Sequence, residues 1–169
     1  ARVVFSSSCA VYGNGGDAPI GEAAPLHPLS PYGFHKCFSE YYMKMYAEIY
    51  GLPAVSLRYF NVYGPRVTAD SPYALVIPIF LELRAQGNLL TITGDGEQTR
   101  DFIHVRDVVR ANLIAAEHPA VGKGEVINIG SGIATSMNAI AAMIGGGVTH
   151  ISPRLEPRRI QADISVAKK

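Results

Sequence analysis

Tryptophan is absent from the sequence, and cysteine is nearly so, with Cys9 and Cys37 as the two thiols in 169 residues. Two cysteines without metal-ligand spacing predict neither a disulfide framework nor a zinc site, and such sparse use fits a reducing cytoplasm. The histidines His35, His104 and His150 show no ligand spacing, so we expect no bound metal. We expect no membrane partner either, because no apolar run reaches spanning length and no secretory leader is recognisable.

Charged residues are also scarce, at 17% of the chain, and their signs balance. Lysine and arginine together number 15 and aspartate and glutamate 14, which gives a net charge of +1. Such a balance provides no electrostatic footprint for nucleic acid, so we expect no nucleic-acid partner. The chain has 48% hydrophobic residues instead, enough for one buried core, and we expect one domain or part of one.

Short apolar runs alternate with amphipathic stretches along the chain. Residues 2–6 predict a buried parallel strand that ends in small hydroxyl residues, and residues 32–50 predict a long helix capped by Ser30 and ended by Gly51. Further strands are predicted at 54–59, 90–93, 102–104 and 126–129, and further helices at 71–86 with a kink at Pro78, at 105–117 and at 137–144. This alternation predicts an α/β fold with a largely parallel sheet, in which ligands bind at the carboxyl ends of the strands.

Tyr32 and Lys36 lie four residues apart at the start of the long predicted helix, so both side chains project from one face. An ammonium beside a phenol favours the ionised phenol, and a phenolate is a base that can take a proton from a sugar alcohol. An isolated pair with this spacing is more often a surface feature of a helix. The upstream serines, Ser6 to Ser8, and the motifs further along the chain favour the catalytic interpretation.

Five sequence blocks in a fixed order resemble one family. They are FSSSCAVYG at 5–13, the Tyr-x-x-x-Lys spacing at 32–36, LRYFNVYGPR at 57–66, GDG at 94–96 followed by RDFIHV at 100–105, and NIGSG at 128–132. Together they resemble the extended short-chain dehydrogenase/reductases of the NAD-dependent epimerase/dehydratase family, and most of all the UDP-glucose and UDP-N-acetylglucosamine 4-epimerases. The resemblance implies an α/β fold made of the C-terminal part of a Rossmann-like parallel sheet and a small α/β substrate-binding lobe. It assigns residues 1–60 and 100–130 to the NAD-binding domain and residues 61–99 and 131–169 to the sugar-nucleotide-binding lobe.

The resemblance also implies which residues handle the proton and the cofactor NAD. Ser8 is expected to hydrogen-bond the reacting hydroxyl of the sugar beside Tyr32, which takes the proton, while Lys36 holds the nicotinamide ribose. Ser6 and Tyr59 are implied as further contacts of NAD, with Tyr59 at its nicotinamide end. As an alternative, the serines merely end a strand and bond the backbone.

A UDP-sugar is the implied substrate, and four further side chains are candidates to bind it together with the serine hydroxyl. Asn61 is placed by its motif to bond a phosphate oxygen or the sugar, and Arg100 has the bidentate guanidinium suited to a diphosphate. Arg154 or Arg158 is the candidate for a second clamp. The alternatives are a turn residue at Asn61, a local salt bridge of Arg100 with Asp101, and solvated surface side chains at 154 and 158.

Inversion at C4 of a UDP-hexose through a 4-keto intermediate is the reaction that the resemblance implies. Related dehydratases place acidic residues directly after the serine, where this sequence has Cys9 and Ala10, so dehydration is disfavoured. Selectivity for N-acetylated sugars stays open, because Ile160 at the expected gate position is neither a bulky aromatic nor a small residue. A homodimer of the full-length protein through the helix that carries Tyr32 is implied as well.

A Gly-rich turn between a first strand and its helix, which binds the pyrophosphate of NAD in dinucleotide folds, is missing from the sequence. Residues 13–16, GNGG, follow the serines and open no helix, so they do not match such a turn. We expect either an incomplete chain of a larger epimerase or a non-catalytic sugar-nucleotide-binding module. A related sugar-nucleotide reductase, uronate epimerase or dehydratase is the third interpretation. We expect little or no NAD-dependent activity from the 169 residues alone.

Overall fold

The computed structural model describes residues 1–16, 18–67 and 75–169. The strands within these residues are β1 (Val3–Ser8), β2 (Ala54–Tyr59), β3 (Asn61–Tyr63), β4 (Leu90–Thr93), β5 (Thr99–His104), β6 (Lys123–Ile129), β7 (Ala134–Ser136), β8 (Val148–Ile151) and β9 (Arg159–Ile160). The α-helices are α1 (Pro31–Tyr50), α2 (Val76–Ala85), α3 (Val105–Glu117) and α4 (Met137–Ile144), and a short 3-10 helix covers Cys9–Tyr12. The predicted α/β class is confirmed.

The main sheet has three parallel strands in the order β1-β2-β6. Ser8 of β1 lies opposite Tyr59 of β2, which lies opposite Ile129 of β6, so the three carboxyl ends meet at one edge. Val55 and Leu57 of β2 pack in a buried cluster with α3, whereas α1 covers the other face of the sheet. Because alternate strand residues point to opposite faces, a strand between two helices is buried throughout, as β2 is up to its last residue.

A second group of strands surrounds β5. This strand pairs in parallel with β3 and β9 and antiparallel with β7, and β4 pairs in parallel with β8 beside α2 and α4. The apolar cluster here is formed by Phe80, Leu90, Ile92, Met137, Ile140 and Ala141. The division into two lobes at 1–60 with 100–130 and 61–99 with 131–169 stays a prediction.

The long helix α1 begins and ends as its sequence predicts. The Ser30 hydroxyl accepts a hydrogen bond from the Gly33 N–H at 3.1 Å, with Pro31 in the first turn, and Gly51 ends the helix in the left-handed conformation with φ 65°. Gly33 also lets α1 approach the 3-10 helix, because a Cβ there would lie 2.7 Å from the Ala10 carbonyl oxygen. The first turn of α1, which carries Tyr32, is therefore held against the end of β1.

Two details of the predicted helix at 71–86 change. The helix α2 starts at Val76, and residues 71–74 lie outside the described residues. Pro78 is the third residue of α2, where backbone N–H groups have no partner inside the helix, so it breaks none of the hydrogen bonds of the helix. None of the helices in residues 1–16, 18–67 and 75–169 combines the length and the apolarity needed to cross a membrane.

Candidate active site

The structure brings Tyr32 and Lys36 together at the carboxyl end of β1. The Lys36 Nζ lies 5.6 Å from the centroid of the Tyr32 ring and donates a hydrogen bond of 2.7 Å to the Ser6 carbonyl oxygen. It also lies 5.1 Å from the centroid of the Phe5 ring. The Tyr32 side chain is 45% exposed. An ammonium and an accessible phenol thus share one end of the parallel sheet, where such folds bind ligands.

The three serines that end β1 have three different environments. The Ser6 hydroxyl lies 3.1 Å from the Tyr59 hydroxyl, and the buried Ser7 hydroxyl donates to the Glu40 carboxylate. The Ser8 hydroxyl accepts a hydrogen bond from the Ala10 N–H at 3.2 Å and caps the 3-10 helix. A serine oxygen that accepts a backbone N–H still has its own proton to donate, so this contact is compatible with both interpretations of Ser8.

Tyr59 is held between β1 and α3. Its hydroxyl donates to the Asn112 side-chain oxygen at 2.9 Å, and the Asn112 amide donates in turn to the Val108 carbonyl at 2.7 Å. The Tyr59 hydroxyl thus links Ser6 of β1 to Asn112 of α3. Sequence reasoning missed Asn112, which lies in α3 outside the five recognised blocks.

A buried polar network on the α1 side of the sheet was also missed. Arg58 of β2 and Glu40 of α1 form an ion pair with Nη2 and Oε2 2.6 Å apart, both side chains being 4% exposed. Burial alone would lower the pKa of Arg58, but the interactions with Glu40 and Tyr12 together outweigh burial and raise this pKa above its ordinary value. The signal in the sequence was a single charged residue, an arginine, inside a buried strand, which requires a buried partner.

Arg100 binds groups of its own chain. Its guanidinium donates to the Glu156 carboxylate at 2.5 Å and to the carbonyl oxygens of Thr99 and Pro157 at 2.8 Å each. The alternative of a salt bridge between Arg100 and Asp101 is wrong, because neighbouring strand residues point to opposite faces. Burial lowers the pKa of Arg100 below its ordinary value, and the negative charge of Glu156 opposes this change.

Asp101 is fully buried and accepts four hydrogen bonds. The donors are the Ser131 N–H and hydroxyl, each at 2.7 Å, the Gly132 N–H at 2.9 Å and the Ala162 N–H at 3.0 Å. The Asn61 amide donates to the Asp101 carbonyl at 3.1 Å. Asn61 therefore starts β3 and is not a turn residue, and Asp101 joins β5 to two later segments of the chain.

The other two candidate arginines line one open groove of about 470 Å³. Arg158 binds both carboxylate oxygens of Asp95 at 2.8 and 3.0 Å, and this contact lowers the pKa of Asp95 to about 2. Arg154 is 73% exposed and reaches Glu156 at 3.4 Å. The groove lining comprises Thr93, Gly94, Asp95, Gln98, Ile151, Pro153, Arg154, Glu156 and Arg158. Arg100 does not line this groove, here called the arginine groove, but it binds Glu156, which does.

Residues 1–130 match the model of the NAD dependent epimerase/dehydratase family. A putative UDP-glucose 4-epimerase of Methanocaldococcus jannaschii is 41% identical over 99% of this chain and 56% of its own length. The UDP-N-acetylglucosamine 4-epimerase of Methanobrevibacter ruminantium M1, solved with UDP-N-acetylmuramic acid, superimposes with a TM-score of 0.93 at 39% identity, over 99% of this chain and 56% of that one. The UDP-glucuronic acid 4-epimerase of Bacillus cereus, solved with UDP-glucuronic acid and NAD, gives 0.87 at 34% identity, over 99% and 54%. The chain spans about half the length of the curated relatives it matches.

Proposed function

The chain belongs to the NAD-dependent epimerase/dehydratase family, as its five sequence blocks predict, and we propose that it is the part of a UDP-hexose 4-epimerase that carries the proton-transfer residues. The observation that carries the proposal is the contact between the Lys36 ammonium and the Tyr32 ring at the carboxyl end of β1. An assay of the full-length protein with UDP-glucose, UDP-galactose and their N-acetylated counterparts tests it. Interconversion of at least one pair is expected, whereas UDP binding without any interconversion contradicts it.

The residues at the end of β1 fit the nicotinamide-ribose half of NAD. The Lys36 ammonium uses one proton for the Ser6 carbonyl, and its remaining protons are available to ribose hydroxyls. When bound, NAD supplies a reversible hydride acceptor for C4 of the sugar. Ser6 and Tyr59 complete the wall on which the ring of the cofactor would rest.

Tyr32 accepts the proton of the sugar 4-hydroxyl in this proposal, and Ser8 orients that hydroxyl by donating or accepting a hydrogen bond. The Lys36 ammonium stabilises the negative charge that the phenol acquires when its own proton leaves. The same phenol returns a proton after the 4-keto sugar has turned over, so it acts as base and then as acid.

Dehydration is disfavoured by the residue that follows Ser8. Burial raises the pKa of the Cys9 thiol to about 12, so this group stays protonated at neutral pH and cannot serve as the additional base. Ala10 has no titratable group. Inversion at C4, which needs a single proton-transfer residue, is therefore the reaction that this site supports best.

The diphosphate of the UDP-sugar is assigned to the arginine groove. Arg154 and Arg158 of the groove supply positive charge, together with Arg100, which binds Glu156 of its lining. Asn61 lies at the start of β3 beside β5, the strand of Arg100. All three arginines are engaged by carboxylates, Arg100 and Arg154 by Glu156 and Arg158 by Asp95. A diphosphate that binds there displaces a carboxylate from its arginine, so affinity depends on this competition.

Glu156→Gln is expected to bind UDP about 3- to 10-fold more tightly than the wild type. A neutral amide competes with the diphosphate for Arg100 less strongly than the Glu156 carboxylate does, because it forms no charge-assisted hydrogen bond. Titration calorimetry with UDP and, separately, with NAD measures this. Arg100→Ala is expected to abolish UDP binding, and Asp95→Asn is the matched comparison that frees Arg158 instead. Unchanged or weaker UDP binding in Glu156→Gln contradicts the assignment of Arg100. Loss of UDP binding in Arg100→Ala without any NAD signal in the wild type favours the non-catalytic module.

A homodimer in the cytoplasm is the assembly that we assign to the full-length protein. The free thiols Cys9 and Cys37 fit a reducing compartment. One side of α1 exposes a continuous apolar surface, here called the α1 aromatic patch, made of Phe34, Phe38, Tyr41, Tyr42, Met45, Tyr46, Ile49 and Tyr50. Exposed apolar surfaces of this extent are uncommon in monomers, and a second copy of α1 would cover it.

Phe38→Glu is expected to weaken dimerisation about 100-fold or more, because Phe38 packs against two other rings of the α1 aromatic patch and the substitution adds a charge there. Its ring stacks on Phe34 at 6.2 Å and meets the Tyr42 ring edge-on at 4.9 Å. Sedimentation equilibrium of the full-length protein measures the dissociation constant. Leu81→Glu, an exposed leucine of α2, is the control that leaves it unchanged. Equal dissociation constants for Phe38→Glu and the wild type contradict the assignment.

A further inference from the structure

Three side chains spaced four residues apart on α1 face the end of β1. Tyr32 and Lys36 form the first contact described above, and Glu40 follows one turn later. Lys36 binds the carbonyl oxygen of Ser6, and Glu40 accepts the hydroxyl of Ser7. Successive turns of α1 are thus attached to successive residues of the strand that ends in the candidate catalytic serine.

The attachment at Glu40 is part of a buried ion pair with Arg58. The Arg58 Nε donates to Glu40 Oε1 at 2.9 Å and its Nη2 donates to Oε2 at 2.6 Å, so the pair is bidentate. Ser7 shares Oε1 with Arg58. Every oxygen of the carboxylate therefore has a partner, and the two partners come from β1 and β2. This fixes the rotation of α1 relative to the sheet.

The guanidinium of Arg58 continues the network to the third strand. Its Nη1 donates to the Tyr12 hydroxyl at 2.7 Å, and its Cζ lies 4.7 Å from the centroid of the Tyr12 ring. The Tyr12 hydroxyl donates to the Asn128 side-chain oxygen at 2.7 Å, and burial raises the Tyr12 pKa, which keeps this donor protonated. One chain of hydrogen bonds thus joins α1, the 3-10 helix after Ser8, and β2 and β6.

Replacing both members of a buried ion pair with apolar residues is often neutral or stabilising, because the desolvation of the two charges offsets their attraction. The geometry of the pair is what an apolar substitute cannot reproduce. We propose that Glu40 and Arg58 are positioning residues, which hold α1 and β1 in the register that keeps Tyr32 and Lys36 at the carboxyl end of β1. This inference rests on the proposed epimerase function.

The bond between Ser7 and Glu40 also determines where the neighbouring serine side chains of β1 point. Because alternate strand side chains point to opposite faces, the bond of the Ser7 hydroxyl to Glu40 directs Ser6 and Ser8 to the other face. The contact of Ser6 with Tyr59 agrees with this direction. Loss of the Glu40 carboxylate would release Ser7 and, with it, the orientation of Ser8.

A comparison of single and double variants in the full-length protein separates positioning from stability. Glu40→Gln leaves Arg58 buried without its counter-charge, so we expect a lower Tm and a lower kcat. The double variant Glu40→Met with Arg58→Leu is expected to recover the Tm of the wild type but to keep kcat reduced about 10-fold or more, with KM for the UDP-sugar unchanged. Glu117→Gln, an exposed residue at the end of α3, is the matched control. A double variant that recovers kcat together with Tm overturns the proposal.

Hydrogen exchange of the full-length protein gives a readout that needs no turnover. In the double variant we expect the amides of Ser7 and Ser8 to exchange about 5-fold faster or more than in the wild type, with Val55 and Leu57 of β2 unchanged. Wild-type rates at both serines overturn the proposal even if the full-length protein is inactive. Absence of epimerase activity in the full-length wild type, in contrast, contradicts the proposed function and leaves this measurement valid.

Discussion

Replacing Tyr32 with phenylalanine is expected to lower kcat for C4 inversion in the full-length protein by about 10²- to 10⁴-fold, the range that a positioned proton-transfer group supplies. The substitution removes one oxygen and keeps the ring. The ring is the part of Tyr32 that the Lys36 Nζ lies near, at 5.6 Å from its centroid, so the contact with Lys36 is preserved. Because 45% of the side chain is exposed, no buried cavity forms.

The measurement is the steady-state rate of UDP-galactose conversion to UDP-glucose, or of the N-acetylated pair, together with the dissociation constant of UDP. We expect UDP binding to stay within about twofold of the wild type, because the arginine groove does not include Tyr32. Tyr50→Phe, at the exposed end of α1, is the matched control and should keep the wild-type rate. A kcat within threefold of the wild type in Tyr32→Phe would remove Tyr32 from the reaction.

The second large effect is on stability and concerns Asp101→Ala. The carboxylate accepts three backbone N–H groups, those of Ser131, Gly132 and Ala162, and alanine leaves these donors without a partner. Each donor left without a partner costs about 1–3 kcal/mol, so we expect the loss of all three bonds to lower the free energy of unfolding by about 3–9 kcal/mol. Since small domains are stable by about 5–15 kcal/mol, this loss removes a large part of the total.

Urea denaturation of the 169-residue chain, followed by circular dichroism, measures this change. Asp107→Ala, an exposed aspartate in the first turn of α3, is the matched control and should cost less than about 1 kcal/mol. The loss in Asp101→Asn should lie between those of Asp107→Ala and Asp101→Ala. The amide oxygen can still accept a hydrogen bond from Ser131, whereas the amide nitrogen cannot accept the bonds that Gly132 and Ala162 donate. A loss below about 1 kcal/mol in Asp101→Ala would show that the three N–H groups find other partners.

Local signals explain what could be predicted from the sequence. A serine before a proline and a glycine after the last apolar turn gave both ends of α1, and continuous apolar runs gave the central strands. The predicted strand at 90–93 and the helices at 105–117 and 137–144 are confirmed at both ends. The strand predicted at 102–104 extends back to Thr99, and the one at 126–129 back to Lys123, since polar residues at their beginnings hid them.

Long-range pairing explains what could not be predicted. The short strands β3, β7, β8 and β9 contain two to four residues each, too few to show a periodic pattern. They form because they pair with strands that are distant in the sequence. Arg100 binds Glu156, which is 56 residues away in the sequence, so its partner could not be deduced from neighbouring residues. The adjacency of Tyr32 and Lys36, by contrast, depends on helical spacing alone and was therefore predictable.

The position of β2 at the centre of the main sheet has a consequence for folding. Its neighbour β1 precedes it, but its other neighbour β6 follows only after residues 60–122. During synthesis β2 therefore leaves the ribosome with one edge unpaired, and closing so long a loop before the pairing stabilises it is slow. Until β6 is synthesised, the backbone groups along this edge of β2 can pair with strands of other chains. Pairing of β6 with β2 therefore protects the chain from aggregation.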